Sequence, residues 1–206
     1  MRRSYIIADW FYRLSHVVRR NRFAVLLYVL CCLLFLVIGV AFGINFADKT
    51  AYVERNGAVI FCFLRGDVGI VSFFFIDVSL TLLYCVFGIS MFVFRITTVF
   101  SLAPCIYRAY AIGMHTCVII SAYSASALPM IFVLFVPIEL VVIAIMCMLS
   151  HRCFVFASLN GRCMPSRNDV REYYRSALPF AFVIVLLTLV KAFTVALFGS
   201  ALIGII

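Results

Sequence analysis

Long apolar runs separated by short polar or basic stretches set the pattern of this chain. The first run, 23–44, carries no charge and at about 1.5 Å per residue is some 33 Å long, enough to cross the hydrocarbon core of a bilayer. Further spans are predicted at 68–94, 130–150 and 177–206, the second stopping at Arg95 and the last interrupted by Lys191. The extra length of that last run fits either tilt or a break near Lys191. Segment 96–128 reads in two ways, because Pro104 and Arg108 interrupt it and Ser121, Ser124 and Ser126 make its second half polar. It is one long tilted helix, or a short re-entrant or interfacial piece at 96–107 followed by a span at 109–128. Apolar pieces of about 10–14 residues suit a re-entrant segment better than a span, which favours the second reading.

Two polar connections remain. Residues 45–67 form a charge-balanced outer segment with Asp48, Glu54, Arg55, Arg65 and Asp67 and an apolar stretch at 58–64. Residues 151–176 read as the longest polar loop, with Arg152, Arg162, Arg167, Arg171 and Arg175. Ahead of the first span, 1–22 places Ile6, Ile7, Trp10, Phe11, Leu14, Val17 and Val18 at helical spacing among six arginines. A basic amphipathic helix of this kind lies along the inner leaflet. A secretory signal is the competing reading; its basic and apolar regions are both too long, although Gly39-Val40-Ala41 resembles a cleavage site.

Composition agrees with lipid as the solvent. Hydrophobic residues make up 67% of the chain and charged residues 12%, with a mean hydropathy of +1.19, which excludes a soluble domain and a disordered one. The expected fold is all-α: a polytopic membrane protein of about five transmembrane helices with an N-terminal interfacial amphipathic helix and a re-entrant segment. It divides into a basic cytoplasmic helix at 1–22 and an integral membrane domain at 23–206. The net charge of +9 is carried mainly by 15 arginines. With the N-terminus inside and five spans, thirteen basic residues, Arg95 and Arg108 among them, fall on the inner face and three on the outer. That asymmetry predicts a cell-membrane protein with a cytoplasmic N-terminus, an extracytoplasmic C-terminus and an anionic inner leaflet as partner. No nucleic-acid-binding motif accompanies the charge, so no nucleic-acid partner is expected.

Ionisable groups inside spans attract first attention, since each costs about 2.5–3.5 kcal/mol on insertion scales unless paired or hydrated. The candidates are Asp77, Arg108, His115, Glu139 and Lys191. Asp77 and Glu139 each lie nine residues, about 13 Å, below the outer start of their spans, and Lys191 lies about 21 Å above the inner start of its own. The three fall in one layer, and Lys191 is expected to pair with Asp77 or Glu139. Such a cluster serves either as an ion path or as an ion pair that fixes helix register, the latter favoured. His115 has no second His three or four residues away, and His151, Cys153 and Cys163 lack a Cys-x-x-Cys pair, so no metal is expected. The remaining cysteines fall mostly in spans and are expected as free thiols. Phosphate-binding, nucleophile-elbow and zinc-protease motifs are absent, so neither an enzyme nor a cofactor is expected.

Phe74-Phe75-Ile76-Asp77 opens one span, a polar helix from Ala103-Pro104 to Gly113 follows, and Val136-Pro137-Ile138-Glu139-Leu140 lies in the next span. In these residues and their order the chain resembles the stage II sporulation protein M family of bacterial membrane proteins. Asp77 stands where the family carries Asn, and no His follows Pro137. The resemblance implies a non-enzymatic scaffold that anchors peptidoglycan-degrading partners, such as cell-wall hydrolases, during engulfment of the forespore. It makes the outer segment, with Asp48, Glu54, Arg55, Arg65 and Asp67, the partner-binding region. Gly199 and Gly204, five apart, would allow close helix approach in the last span. A small transporter or permease component is the rival, with Asp77, Glu139 and Lys191 lining a polar path.

Overall fold

The computed structural model describes residues 22–46, 69–90, 97–123, 128–159 and 166–203. Every element among them is helical: α1 (Arg22–Phe46), α2 (Ile70–Ser90), a 3-10 turn at Thr97–Leu102, α3 (Ala103–Tyr123), a π-helical turn at Met130–Phe135, α4 (Val136–Leu159) and α5 (Arg167–Ile203). Four helical stretches are long and apolar enough to cross a membrane: Leu26–Asn45, Val71–Ser90, Ile131–Ser158 and Arg167–Phe198. The chain therefore has the fold of a polytopic helical membrane protein.

Cross-helix contacts fix the directions. Tyr28 meets His151 and Cys32 meets Cys147, so α1 runs antiparallel to α4. Ser101 meets Ser150 and Arg108 meets Glu139, which sets the 3-10 turn and α3 antiparallel to α4 as well. Tyr173 bonds Ile89 and Lys191 meets Asp77, which sets α5 against α2. Direction thus alternates from helix to helix. One end of the bundle gathers the starts of α1, α3 and α5 and the ends of α2 and α4. Arg22, Arg167, Arg171 and Arg175 all belong to this basic end.

Three boundaries differ from the sequence expectation. The chain does not break at Arg108. Ala103 begins one continuous helix, with Pro104 in its first turn, where a missing N–H costs nothing. The predicted loop at 151–176 is mostly helix, because α4 runs on to Leu159 and α5 starts at Arg167. Arg152 finds partners inside the bundle: its Nη1 donates to Ser176 O at 3.1 Å and its Cζ lies 4.7 Å from the centroid of the Phe180 ring, within the turn that Pro179 weakens. Finally, α5 passes Lys191 without a break. The N-terminal amphipathic helix at 1–21 and the outer residues Asp48, Glu54, Arg55, Arg65 and Asp67 lie outside the described residues, as do Cys62, Cys163 and Gly204.

The closest helix pair is α1 with α3, and glycine makes it so. A Cβ on Gly39 would overlap the Tyr110 carbonyl, one on Gly113 would overlap the Leu36 carbonyl, and one on Gly43 would sit 2.6 Å from Cys117 Cβ. Gly39 and Gly43 are four apart, so both face α3 and let the two backbones touch. Cys117 Sγ donates to Val40 O at 3.6 Å in the same seam. The other faces of α1 expose Leu26, Leu30, Leu34 and Val37, as a helix bordering lipid would.

Candidate functional site

Four charged side chains meet in the middle of the bundle, one from each of α2, α3, α4 and α5. Glu139 is the hub. Arg108 Nε donates to Glu139 Oε2 at 2.7 Å and its Nη2 reaches Oε1 at 3.3 Å, while Lys191 Nζ donates to Oε1 at 2.6 Å. Lys191 Nζ also lies 2.8 Å from Asp77 Oδ2, an ion contact without hydrogen-bond geometry. Arg108, Glu139 and Lys191 are 6%, 3% and 5% exposed, whereas the Asp77 side chain retains 18%. Two acids and two bases leave the cluster formally neutral, the condition under which charges persist away from water.

Two threonines complete the guanidinium's surroundings. Arg108 Nη1 donates to Thr81 Oγ1 at 3.3 Å and Nη2 to Thr188 Oγ1 at 3.5 Å. Each hydroxyl donates in turn to a carbonyl one turn back, Thr81 to Asp77 O at 2.8 Å and Thr188 to Ile184 O at 3.0 Å. Apolar layers close the cluster on both sides. Phe73, Ile119, Ile131 and Val195 are buried toward one end, and Leu149, Cys153, Tyr173 and Ala177 toward the basic end.

Local sequence explains how Glu139 is aimed. Pro137 has no N–H to give the carbonyl four residues back, and its ring crowds that carbonyl. The preceding turn widens into a π-helical one, in which Val136 N–H bonds Ile131 O. Glu139 follows on regular α-helix and points at Lys191. Lys191 also stands 5.9 Å from the Phe135 ring centroid.

The sequence layer of Asp77, Glu139 and Lys191 thus corresponds to one contact cluster, with Lys191 against both carboxylates. Arg108 requires a correction. It does not sit on the inner face with the topology-setting arginines but inside the bundle, because it occupies the second turn of α3 and its long side chain reaches inward. His115 lies seven residues further along α3, on the same face, and no ion pair joins it to the cluster. Thr81 and Thr188 are members that charge-based reading missed. The signal was available: they lie four residues after Asp77 and three before Lys191, the helical spacings that bring side chains together. Among the described residues seven cysteines are free, and no group of three His, Cys, Asp or Glu side chains is arranged to hold a metal.

Comparison with known proteins finds no family model, no curated sequence and no solved structure that matches the chain. Its class accordingly rests on fold and site: a polytopic helical membrane protein built around a neutral, four-charge buried cluster.

Proposed function

We propose that this chain is a non-enzymatic integral membrane scaffold, whose bundle is locked in one register and presents its polar segments to membrane or protein partners. The observation that carries this reading is the closure of the cluster. Arg108, Glu139 and Lys191 are mutually satisfied and buried, which suits a fixed register better than a charge that must move. The scaffold stands in the cell membrane with the N-terminus cytoplasmic and the C-terminus extracytoplasmic. Arg167, Arg171 and Arg175 at the basic end face the anionic inner leaflet in this orientation. The partner class of peptidoglycan-degrading enzymes during engulfment comes from the resemblance to the stage II sporulation protein M family alone.

Affinity purification from native membranes, combined with flux measurements in proteoliposomes, tests the reading. Stable co-purification of defined partners without solute flux is expected. Reporter fusions at the two termini check orientation, and a C-terminal reporter active in the cytoplasm refutes it. The rival reading, a small transporter, draws support from one observation: Asp77 is the partly exposed corner of the cluster and its Oδ2 makes no hydrogen bond. Flux abolished by both Lys191→Ala and Asp77→Asn replaces the scaffold with a transporter.

A further inference from the structure

Near the basic end α1 stands away from α4, and a cleft of about 200 Å³ opens between them. Its cause lies further along the helix. The glycines of α1 fasten it backbone to backbone with α3 around Gly39 and Gly43, whereas toward Arg22 it reaches α4 through side chains, Cys32 against Cys147 and Tyr28 against His151. The walls are almost wholly apolar, from Leu33 and Leu36 on one side to Leu140, Ile143 and Met148 on the other. One wall residue does not fit that description. His151 is 5% exposed, and neither Nδ1 nor Nε2 has a hydrogen-bond partner.

An imidazole holds one donor and one acceptor when neutral, and leaving such groups unmade in a buried place costs about 1–3 kcal/mol. In the cleft it faces the Tyr28 ring, edge-on with centroids 6.0 Å apart. A water molecule would satisfy the ring nitrogens but needs only a tenth or so of this volume, and besides His151 the lining residues that carry a polar atom are Tyr28, Cys32 and Cys147, set among Leu, Ile, Val, Ala and Met. Volume and chemistry together describe something larger, apolar over most of its length and polar at one point.

We propose that the cleft binds a neutral lipid-soluble amphiphile, its apolar part along α1 and α4 and one carbonyl or hydroxyl group hydrogen-bonded to His151. A charged head is disfavoured, because among the described residues no counter-ion lines the cleft. The position along the helices agrees. Tyr28 lies six residues from the start of α1, about 9 Å below the helix end, at the depth where lipid carbonyls and hydroxyls give way to hydrocarbon. Two sources share this chemistry, a glycerolipid and an alkyl quinone, and the experiment separates them.

The full chain is placed in nanodiscs of ether-linked phosphatidylcholine, which offers no ester carbonyl, and titrated with dioctanoylglycerol or with a short-chain alkyl benzoquinone. Ring-nitrogen NMR signals of ¹⁵N-labelled histidine report on His151, assigned by their loss in His151→Phe. Saturable shifts with one or both probes are expected. Saturation-transfer signals of the probe itself, which do not need the imidazole, should show His151→Phe weakening binding about tenfold, the equivalent of one hydrogen bond. Ala144→Phe, which puts bulk into the cleft and leaves His151 in place, should abolish it. Leu33→Trp fills the cleft from the opposite wall at a position 51% exposed, so the test survives misfolding of either variant. Absence of shifts with both probes, or binding indifferent to both cleft-filling substitutions, overturns the proposal. A ring spectrum that reports hydrogen bonding to water alone also overturns it.

Discussion

Replacing Glu139 by Gln removes the one acceptor shared by two buried cations. Three contacts are lost or weakened: the two from Arg108 at 2.7 and 3.3 Å and the one from Lys191 at 2.6 Å. Valued singly at about 1.5–3 kcal/mol for hydrogen bonds to charged groups, they would sum to more than half the stability of a typical domain. The true cost is smaller because the two cations are not equally stranded. Lys191 keeps Asp77 at 2.8 Å, whereas Arg108 keeps only two hydroxyls at 3.3 and 3.5 Å. One uncompensated buried charge remains, which points to about 3–5 kcal/mol. The same asymmetry predicts which second substitution repairs the first. Adding Arg108→Gln leaves a neutral Lys191–Asp77 pair and should recover most of the loss. Adding Lys191→Gln leaves Arg108 without a carboxylate contact and should recover little. Unfolding in mixed micelles, followed by helical circular dichroism against the SDS fraction, measures these species, and adding the single variants Arg108→Gln and Lys191→Gln closes the two cycles that yield the coupling energies. Equal recovery by the two partners, or a loss below about 1 kcal/mol for Glu139→Gln alone, would refute the account of Glu139 as the hub.

The same unfolding assay checks five further substitutions at four separate places. Gly39→Ala and Gly113→Ala drive a methyl into the facing carbonyls of Tyr110 and Leu36 and should each destabilise by about 1–3 kcal/mol. Gly88→Ala should instead stabilise by about 0.5–1 kcal/mol, since its Cβ meets only Leu149 Cδ2 at 3.8 Å and Ala is the better helix former; destabilisation there would contradict the packing described. Ser166 and Asp169 form a reciprocal cap at the start of α5, with Asp169 N–H donating to Ser166 Oγ and Ser166 N–H to Asp169 Oδ2, both at 3.2 Å. Ser166→Ala should cost about 1 kcal/mol and raise amide exchange in the first turn of α5 before any other segment. Tyr173→Phe deletes the hydroxyl that donates to Ile89 O at 3.1 Å but keeps the ring stacked on Phe156 at 4.6 Å. The loss should therefore stay at about 0.5–1.5 kcal/mol.

How much of this was legible in the sequence depends on which physical quantity carried the information. Length and hydropathy revealed a helical membrane protein, because crossing lipid demands long uncharged runs and forbids unpaired backbone. Depth counting placed Asp77, Glu139 and Lys191 at one level, because rise per residue is nearly constant in a helix. Azimuth was the missing coordinate. In helices that are apolar all round, no polar stripe marks the face that turns inward. Gly39 and Gly43 therefore passed as part of a lipid-soluble run, or as a cleavage site, until Gly113 and Tyr110 showed which side they faced. Charge misled for the related reason that it was read as a sign of water. Arg108 and Arg152 looked like ends of spans, yet one is neutralised by Glu139 and the other rests on Phe180 and Ser176 O. In lipid a basic side chain terminates a helix only when nothing inside the bundle can receive it. The partners that receive these two stand 31 and 24 residues away along the chain, beyond the reach of local pattern. The same reasoning bears on His151. A polar residue read as the start of a loop proves to be enclosed, and unlike Arg108 and Arg152 it has no partner from the chain itself. That difference is why the cleft beside it, rather than the saturated cluster, is where the fold has room for a ligand.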